Sequence, residues 1–104
     1  MSMSGDVNPK EMQKSADNAC KLMKVLSNRD RLLLLCQINM GEKSVAELED
    51  ILDIHQPTLS QQLTVLRTEG LVKTRRDGKK IYYSLSSEIA ASVMSLLYSH
   101  FCAE

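Results

Sequence analysis

Apolar positions along the chain change their period from segment to segment, and the changes mark separate elements. From Pro9 to Leu26, the residues Met12, Ala16, Ala19, Met23 and Leu26 recur at spacings of three and four, one face of a helix. Asn28 suits the cap of a second helix, RDRLLLLCQINM, which Gly41 closes. Leu32 to Cys36 and Ile38 make that helix apolar almost all round, which predicts a place at the centre of the fold. Ser44-Val-Ala-Glu47 has the form of a capping box and opens a third helix, VAELEDIL, with Val45, Leu48, Ile51 and Leu52 on one face. A tight DIHQ connection leads to Pro57, whose missing N–H is harmless in a first turn. The helix PTLSQQLTVLRTE follows and stops at Gly70. Leu59, Leu63 and Leu66 form its core face, and Thr58, Ser60, Gln61, Gln62, Thr64 and Arg67 the opposite one. Beyond Gly70 the period drops to two: LVKTRR and KKIYYSL flank Asp77-Gly78, a hairpin signal. SSEIAASVMSLLYSHFCAE is a last capped helix with Ile89, Val93, Leu96, Leu97 and Phe101 on one side.

The predicted architecture is mainly α with a β-hairpin wing (α+β): four helices, a hairpin and a fifth helix. Residues 1–8 read as a disordered N-terminal tail and 9–104 as one domain. Two short helices joined by about four residues, the second opening on polar side chains, outline a helix-turn-helix. The third helix braces against a DNA backbone, and the Pro57 helix enters the major groove with Gln56, Thr58, Ser60 and Gln61 toward the bases. Glutamine pairs with adenine edges, and Ser or Thr serves bases or phosphates. Those residues alone also suit an ordinary solvated helix face; the basic hairpin that follows them selects the winged helix-turn-helix.

Net charge is zero, with thirteen Lys/Arg against thirteen Asp/Glu, yet the charge is unevenly placed. Arg67, Lys73, Arg75, Arg76, Lys79 and Lys80 fall within residues 67–80 against only Glu69 and Asp77. That focused excess is what a polyanion meets. With a two-residue loop at Asp77-Gly78, Arg76 faces Lys79 and Arg75 faces Lys80. Directly opposed like charges favour a phosphate partner that relieves them. A solubilising loop tip is the plainer account of the same residues. Arg67, Arg75, Arg76, Lys79 and Lys80 are thus assigned to double-stranded operator DNA. One such unit covers little DNA. Helix one and the last helix carry apolar faces beyond the needs of a 104-residue core, which predicts a homodimer on an inverted repeat.

Aromatic residues are 4% of the chain, so Leu, Ile, Val and Met build the core. No apolar run reaches membrane-spanning length and MSMSGDVNPK lacks a signal-peptide core, which predicts a cytoplasmic protein with no membrane partner. Three cysteines do not make a secreted disulfide framework. No Cys–His or Ser–His constellation and no glycine-rich phosphate loop supports an enzyme, and no cofactor is predicted.

The stretch SVAELEDIL…QPTLSQQLTVLRTEGLVKTRRDGKKIYYSL resembles the ArsR/SmtB-type winged-helix repressors, and the resemblance runs from about residue 12 to the end. It implies a dimeric repressor that leaves its operator when an inducer binds. Two metal patterns of that family are broken here. The third helix holds no cysteine, and aligning the family's last-helix site on His100 puts Ser87, Ile89 and Ala103 at its other positions. The chain is most similar to the sulfide- and persulfide-responsive branch, the BigR/SqrR type. That branch carries one Cys in the second helix, here Cys36, and one near the end of the last helix, here Cys102. The resemblance implies a redox pair that reactive sulfur species oxidise to a disulfide or polysulfide bridge. His55 and the extra Cys20 depart from the branch. The alternative is a metal-responsive repressor using Cys36, His100, Cys102 or Glu104 in a new arrangement.

Overall fold

The computed structural model describes residues 8–102. Helix α1 spans Pro9–Leu26, α2 Arg29–Asn39, β1 Lys43–Ser44, α3 Val45–Leu52, α4 Thr58–Thr68, β2 Val72–Asp77, β3 Lys80–Leu85 and α5 Glu88–Phe101. Four helices open on a side-chain acceptor for an otherwise unpaired N–H. Asn8 Oδ1 accepts from Lys10 N at 2.8 Å, Asn28 Oδ1 from Arg31 N at 3.0 Å, and Ser87 Oγ from Ala90 N at 3.1 Å. At α3 the capping box is complete: Ser44 Oγ accepts from Glu47 N at 3.2 Å, and Ser44 N donates to Glu47 Oε1 at 2.9 Å. Asn8, placed by the sequence in the tail 1–8, is therefore the cap of α1; the rest of that tail lies outside the described residues, as do Ala103 and Glu104.

The helix α4 starts at Thr58, one residue later than the sequence suggests. Pro57 offers no side-chain acceptor, and Gln56 Oε1 takes Ser60 N at 3.1 Å instead. Its end is a Schellman motif: Leu71 N donates to Leu66 O at 2.9 Å and Gly70 N to Arg67 O at 3.0 Å. Gly70 sits at φ +77°, a value L side chains rarely adopt.

Helix α2 holds the centre, as its all-round apolar surface predicts. Its Leu34, Leu35 and Ile38 are buried, and it packs against α1, α3, α4, α5 and β3. Leu48 of α3, Leu59, Leu63 and Leu66 of α4, Val72 of β2, and Ala90 and Met94 of α5 complete the core. Two faces differ from the periodicity. Ile51 is exposed, and α3 is anchored by buried Leu48 with half-buried Val45 and Leu52 beside it. On α5 the core stripe is Ala90, Val93, Met94 and Leu97, while Ile89 is 60% and Phe101 82% exposed. Ala90 is fully buried, and its neighbour Ile89, about 100° further round the helix, is turned to solvent. Only the last turn of α1 is buried, at Val25 and Leu26; Met12 and Met23 are exposed. No helix among the described residues is long and apolar enough to cross a membrane.

The wing belongs to a three-stranded antiparallel sheet ordered β1-β3-β2, with Lys43 opposite Tyr83 and Ser44 opposite Tyr82. A two-residue strand carries no readable alternation, so β1 is absent from the sequence reading. The hairpin register also differs by one residue. Asp77 pairs with Lys80, Arg76 with Ile81 and Arg75 with Tyr82, so the loop is Gly78-Lys79. Gly78 takes φ +65°, while neither Asp77 nor Lys79 has positive φ. A loop at Asp77-Gly78 would require Asp77 itself to adopt that strained value. The opposed like charges expected at the tip are thereby replaced by an Asp–Lys pair.

Leu35→Ala, at a site with no exposed surface, should lower unfolding free energy by about 2–5 kcal/mol. Ile51→Ala should cost well under half of that. Urea denaturation of both variants at one protein concentration makes the comparison.

Candidate nucleic-acid interface and thiol pair

The turn between α3 and α4 is shaped by Asp53, which ends α3 at φ +56°, a conformation short polar side chains tolerate. Its carboxylate accepts from His55 Nε2 at 2.6 Å, and Glu49 Oε2 lies 3.4 Å from Nδ1. Two acceptors on one ring favour the doubly protonated imidazolium. The Asp53 hydrogen bond, then the Glu49 one, raise the His55 pKa above its ordinary value.

The face of α4 opposite Leu59, Leu63 and Leu66 presents Ser60, Gln61, Thr64 and Arg67 to solvent. Of the four residues expected to face bases, Ser60 and Gln61 are exposed, and Thr58 is half-buried. Gln56 is exposed, with its amide oxygen taken up in capping the helix. Gln62, half-buried, accepts from Arg31 Nη1 at 2.9 Å. Arg31 also donates through Nε to Val25 O at 2.6 Å and through Nη2 to Lys24 O at 3.4 Å. One guanidinium on α2 thus ties the end of α1 to the middle of α4. No motif or period points to it, because an arginine beside a run of leucines reads as a solvated flank.

On the wing, Arg76, Lys79 and Lys80 are exposed. Arg75 is engaged. Its Nε and Nη2 donate to Glu42 at 3.1 and 2.6 Å, Asp77 is 3.9 Å away, and its guanidinium lies 4.7 Å over the Tyr82 ring. The hydrogen bond from Arg75 holds the Glu42 carboxyl below its usual pKa. Glu42 is thus a charge partner that the local count over residues 67–80 does not include.

Cys36 and Cys102 line one cavity of about 520 Å³ between α2 and α5, together with Leu33, Met40, Met94 and Tyr98. The Cys36 thiol lies 3.7 Å from Met94 Sδ. Burial pushes its pKa up, and nearby Cys102 pushes it further. Cys102 is exposed where α5 ends, its N–H donating to Tyr98 O at 2.9 Å. Cys20 is exposed on α1, outside that cavity. Among the described residues, no three His, Cys, Asp or Glu side chains gather as a metal-binding group; Glu104 lies outside them.

Capped α3 and α4 at a tight turn, with a basic hairpin beside them, define a winged helix-turn-helix DNA-binding regulator. Residues 28–74 match the family described as bacterial regulatory protein, arsR family. The chain is 48% identical over 95% of its length to a biofilm growth-associated repressor of Agrobacterium fabrum, covering 85% of that protein. The crystal structure of the transcriptional repressor BigR from Xylella fastidiosa superposes with a TM-score of 0.83 at 47% identity, over 91% of this chain and 94% of that one. Reduced HlyU from Vibrio cholerae superposes at 0.87 with 38% identity, over 90% of this chain and 99% of that one. The chain belongs to the arsR family, whose members are transcriptional regulators and not enzymes.

Arg76→Ala or Lys79→Ala should each weaken operator binding across sequences and reduce the salt slope by roughly one. Arg75→Ala should change that slope less, since Glu42 already neutralises it; titrations at several salt concentrations measure this. A second test concerns His55. Its raised pKa contributes stability that is present below the unfolded value and lost as pH rises through the folded value. The urea-midpoint gap between wild type and His55→Gln should therefore be widest below about pH 6.5 and close above it.

Proposed function

We propose that the chain is a repressor that binds an inverted-repeat operator as a homodimer. Oxidation of Cys36 and Cys102 by persulfide-type species, to a disulfide or polysulfide bridge, releases it. The observation that carries this reading is that the two thiols share one cavity between the central helix and the last helix. The repressor names of the Agrobacterium and Xylella relatives support the sign of regulation. Residues 9–104 act as one DNA-binding and dimerisation unit. Exposed Met12 and Met23 of α1 and Ile89, Leu96 and Phe101 of α5 supply the apolar surface for a two-fold contact. Ser60 and Gln61 read bases, with Thr58 and Gln56 holding the helix start. Arg67, Arg76, Lys79 and Lys80 meet phosphates, and Arg75 joins them when it leaves Glu42.

The chemistry balances with a persulfide RSSH as oxidant. The exposed Cys102 thiolate attacks the sulfane sulfur, expels RS⁻ and becomes a perthiol. Cys36, on losing its proton, attacks the Cys102 sulfur and expels HS⁻. Two protein thiols and one RSSH give a disulfide, RSH and H₂S. If the pair is too far apart for a direct bond, a second RSSH converts Cys36 to a perthiol as well; its outer sulfur attacks the Cys102 sulfur and expels HS⁻, so that two thiols and two RSSH give a trisulfide bridge, two RSH and H₂S. A bridge draws α2 toward α5. Arg31, one and a half turns from Cys36 on α2, then moves relative to Lys24, Val25 and Gln62. A change that disfavours the DNA-competent spacing of the paired α4 helices by about 2.7 kcal/mol weakens operator binding roughly 100-fold.

Intact mass paired with operator titration tests this. A persulfide donor should link Cys36 to Cys102 and reduce affinity by roughly 100-fold. Cys36→Ser and Cys102→Ser should stay bound after the same treatment; release of Cys102→Ser would remove that residue from the sensor. Stoichiometric zinc binding by the reduced protein, with loss of DNA affinity, would favour the metal-responsive alternative. Arg31→Lys should retain the bridge yet narrow the affinity gap between reduced and bridged protein.

A further inference from the structure

We propose that the cavity between α2 and α5 takes sulfur from small uncharged polysulfanes, of which dialkyl trisulfides are the simplest, in preference to donors that carry carboxylates. The inference rests on the sensor reading above and adds the class of donor. Its first support is the wall. Among the described residues that line it, Leu33, Met40 and Met94 give an apolar wall, the remaining side chains are neutral, and none is Lys, Arg or His. A donor with carboxylates must shed water there with no cation to receive the charge, a transfer that disfavours the ion strongly.

The second support is independent of the side chains. Helix α2 ends at Asn39 with Met40 as its cap, and α5 ends at Phe101 with Cys102 as its cap. Asn39, Met40 and Cys102 all line the cavity, so two helix C-termini meet at it. Each brings the partial negative charge of a helix C-terminus. Both repel an anion and leave an uncharged chain of sulfur atoms unaffected. The third support is the rim. Met40 is 71% and Tyr98 54% exposed, an apolar collar at the mouth. Thioethers and an aromatic ring attract polarisable sulfur.

The step balances without a further oxidant. The Cys102 thiolate attacks the central sulfur of R–S–S–S–R and expels RS⁻, which takes up the proton lost by the thiol. Cys36, on deprotonating, attacks the same sulfur and expels the second RS⁻. Two thiols and one trisulfide give Cys36–S–S–S–Cys102 and two RSH, the electron pair passing from the protein to the donor. Met94 Sδ beside Cys36 Sγ keeps the second thiol inside the cavity, where that sulfur must arrive.

The test compares dimethyl trisulfide with the bis-glutathionyl trisulfide, an anion, on the reduced full chain. A neutral unstructured cysteine peptide in the same solution normalises for intrinsic reactivity. Bridging between Cys36 and Cys102 is followed by intact mass. The normalised rate should be at least roughly tenfold higher for dimethyl trisulfide. Met40→Lys, at an exposed position compatible with folding, should narrow that gap severalfold by accelerating the anionic donor. Equal normalised rates, or a gap unchanged by Met40→Lys, would overturn the inference. If neither trisulfide nor a simple persulfide forms the bridge while the peptide reacts, the sensor reading itself fails, and the donor class with it.

Discussion

Helix α2 is the constraint to which every other element refers. Its buried Leu34, Leu35 and Ile38 lock it against four helices and a strand, so it cannot move without its neighbours. The same eleven residues carry Arg31 toward α1 and α4, and Cys36 toward α5. A close-packed interior transmits displacement instead of absorbing it. On the proposed reading, a bridge at Cys36 and the DNA-facing side of α4 are therefore connected through a single rigid body. The coupling needs no long chain of intermediates; it needs α2 to have two allowed positions.

What could be read from the sequence follows from how local each determinant is. The capping box at Ser44 and Glu47, the stop at Gly70 and the Leu59, Leu63, Leu66 stripe depend on neighbours within one or two turns, and they fix α3 and α4 closely. The outward turn of Ile89 and Phe101 depends on which stripe of α5, here Ala90, Val93, Met94 and Leu97, meets the core, and with apolar residues on several sides no period discloses that choice. The strand β1 exists only because β3 is beside it. At the site, Ser60, Gln61, Arg76, Lys79 and Lys80 were legible as an exposed polar face and a basic tip. The pairing of Cys36 with Cys102 came from the family resemblance, because their separation along the chain hides their shared cavity. Arg31, Gln62 and Glu42 act through partners about thirty residues away, beyond any motif.

The wing shows how one residue of register alters an electrostatic argument. Counted along the sequence, Arg75 belongs to a cluster of unrelieved positive charge. In the fold, Glu42 crosses from the α2–β1 connection to meet it, and Tyr82 stacks beneath it. A phosphate approaching Arg75 must replace a two-pronged carboxylate contact, so the net attraction there is the difference between two similar interactions. On the proposed reading, the affinity of the wing shifts toward Arg76, Lys79 and Lys80, and the charge of Arg75 becomes available only once Glu42 is displaced.

The sensing role proposed above also needs room in which to react. Cores without voids penalise any added atom, since overpacking forces side chains from their rotamers. Here the thiols face a cavity at the edge of the core, not its middle. Met94 is buried beside Cys36, whereas Met40 and Tyr98 on the far side are exposed. Sulfur atoms entering that space need not displace Leu34 or Leu35. The proposed bridge would therefore act on helix separation while the hydrophobic cluster stays filled. The effect of the proposed bridge is then concentrated in the relative placement of α2 and α5, and α2 in turn packs against α4.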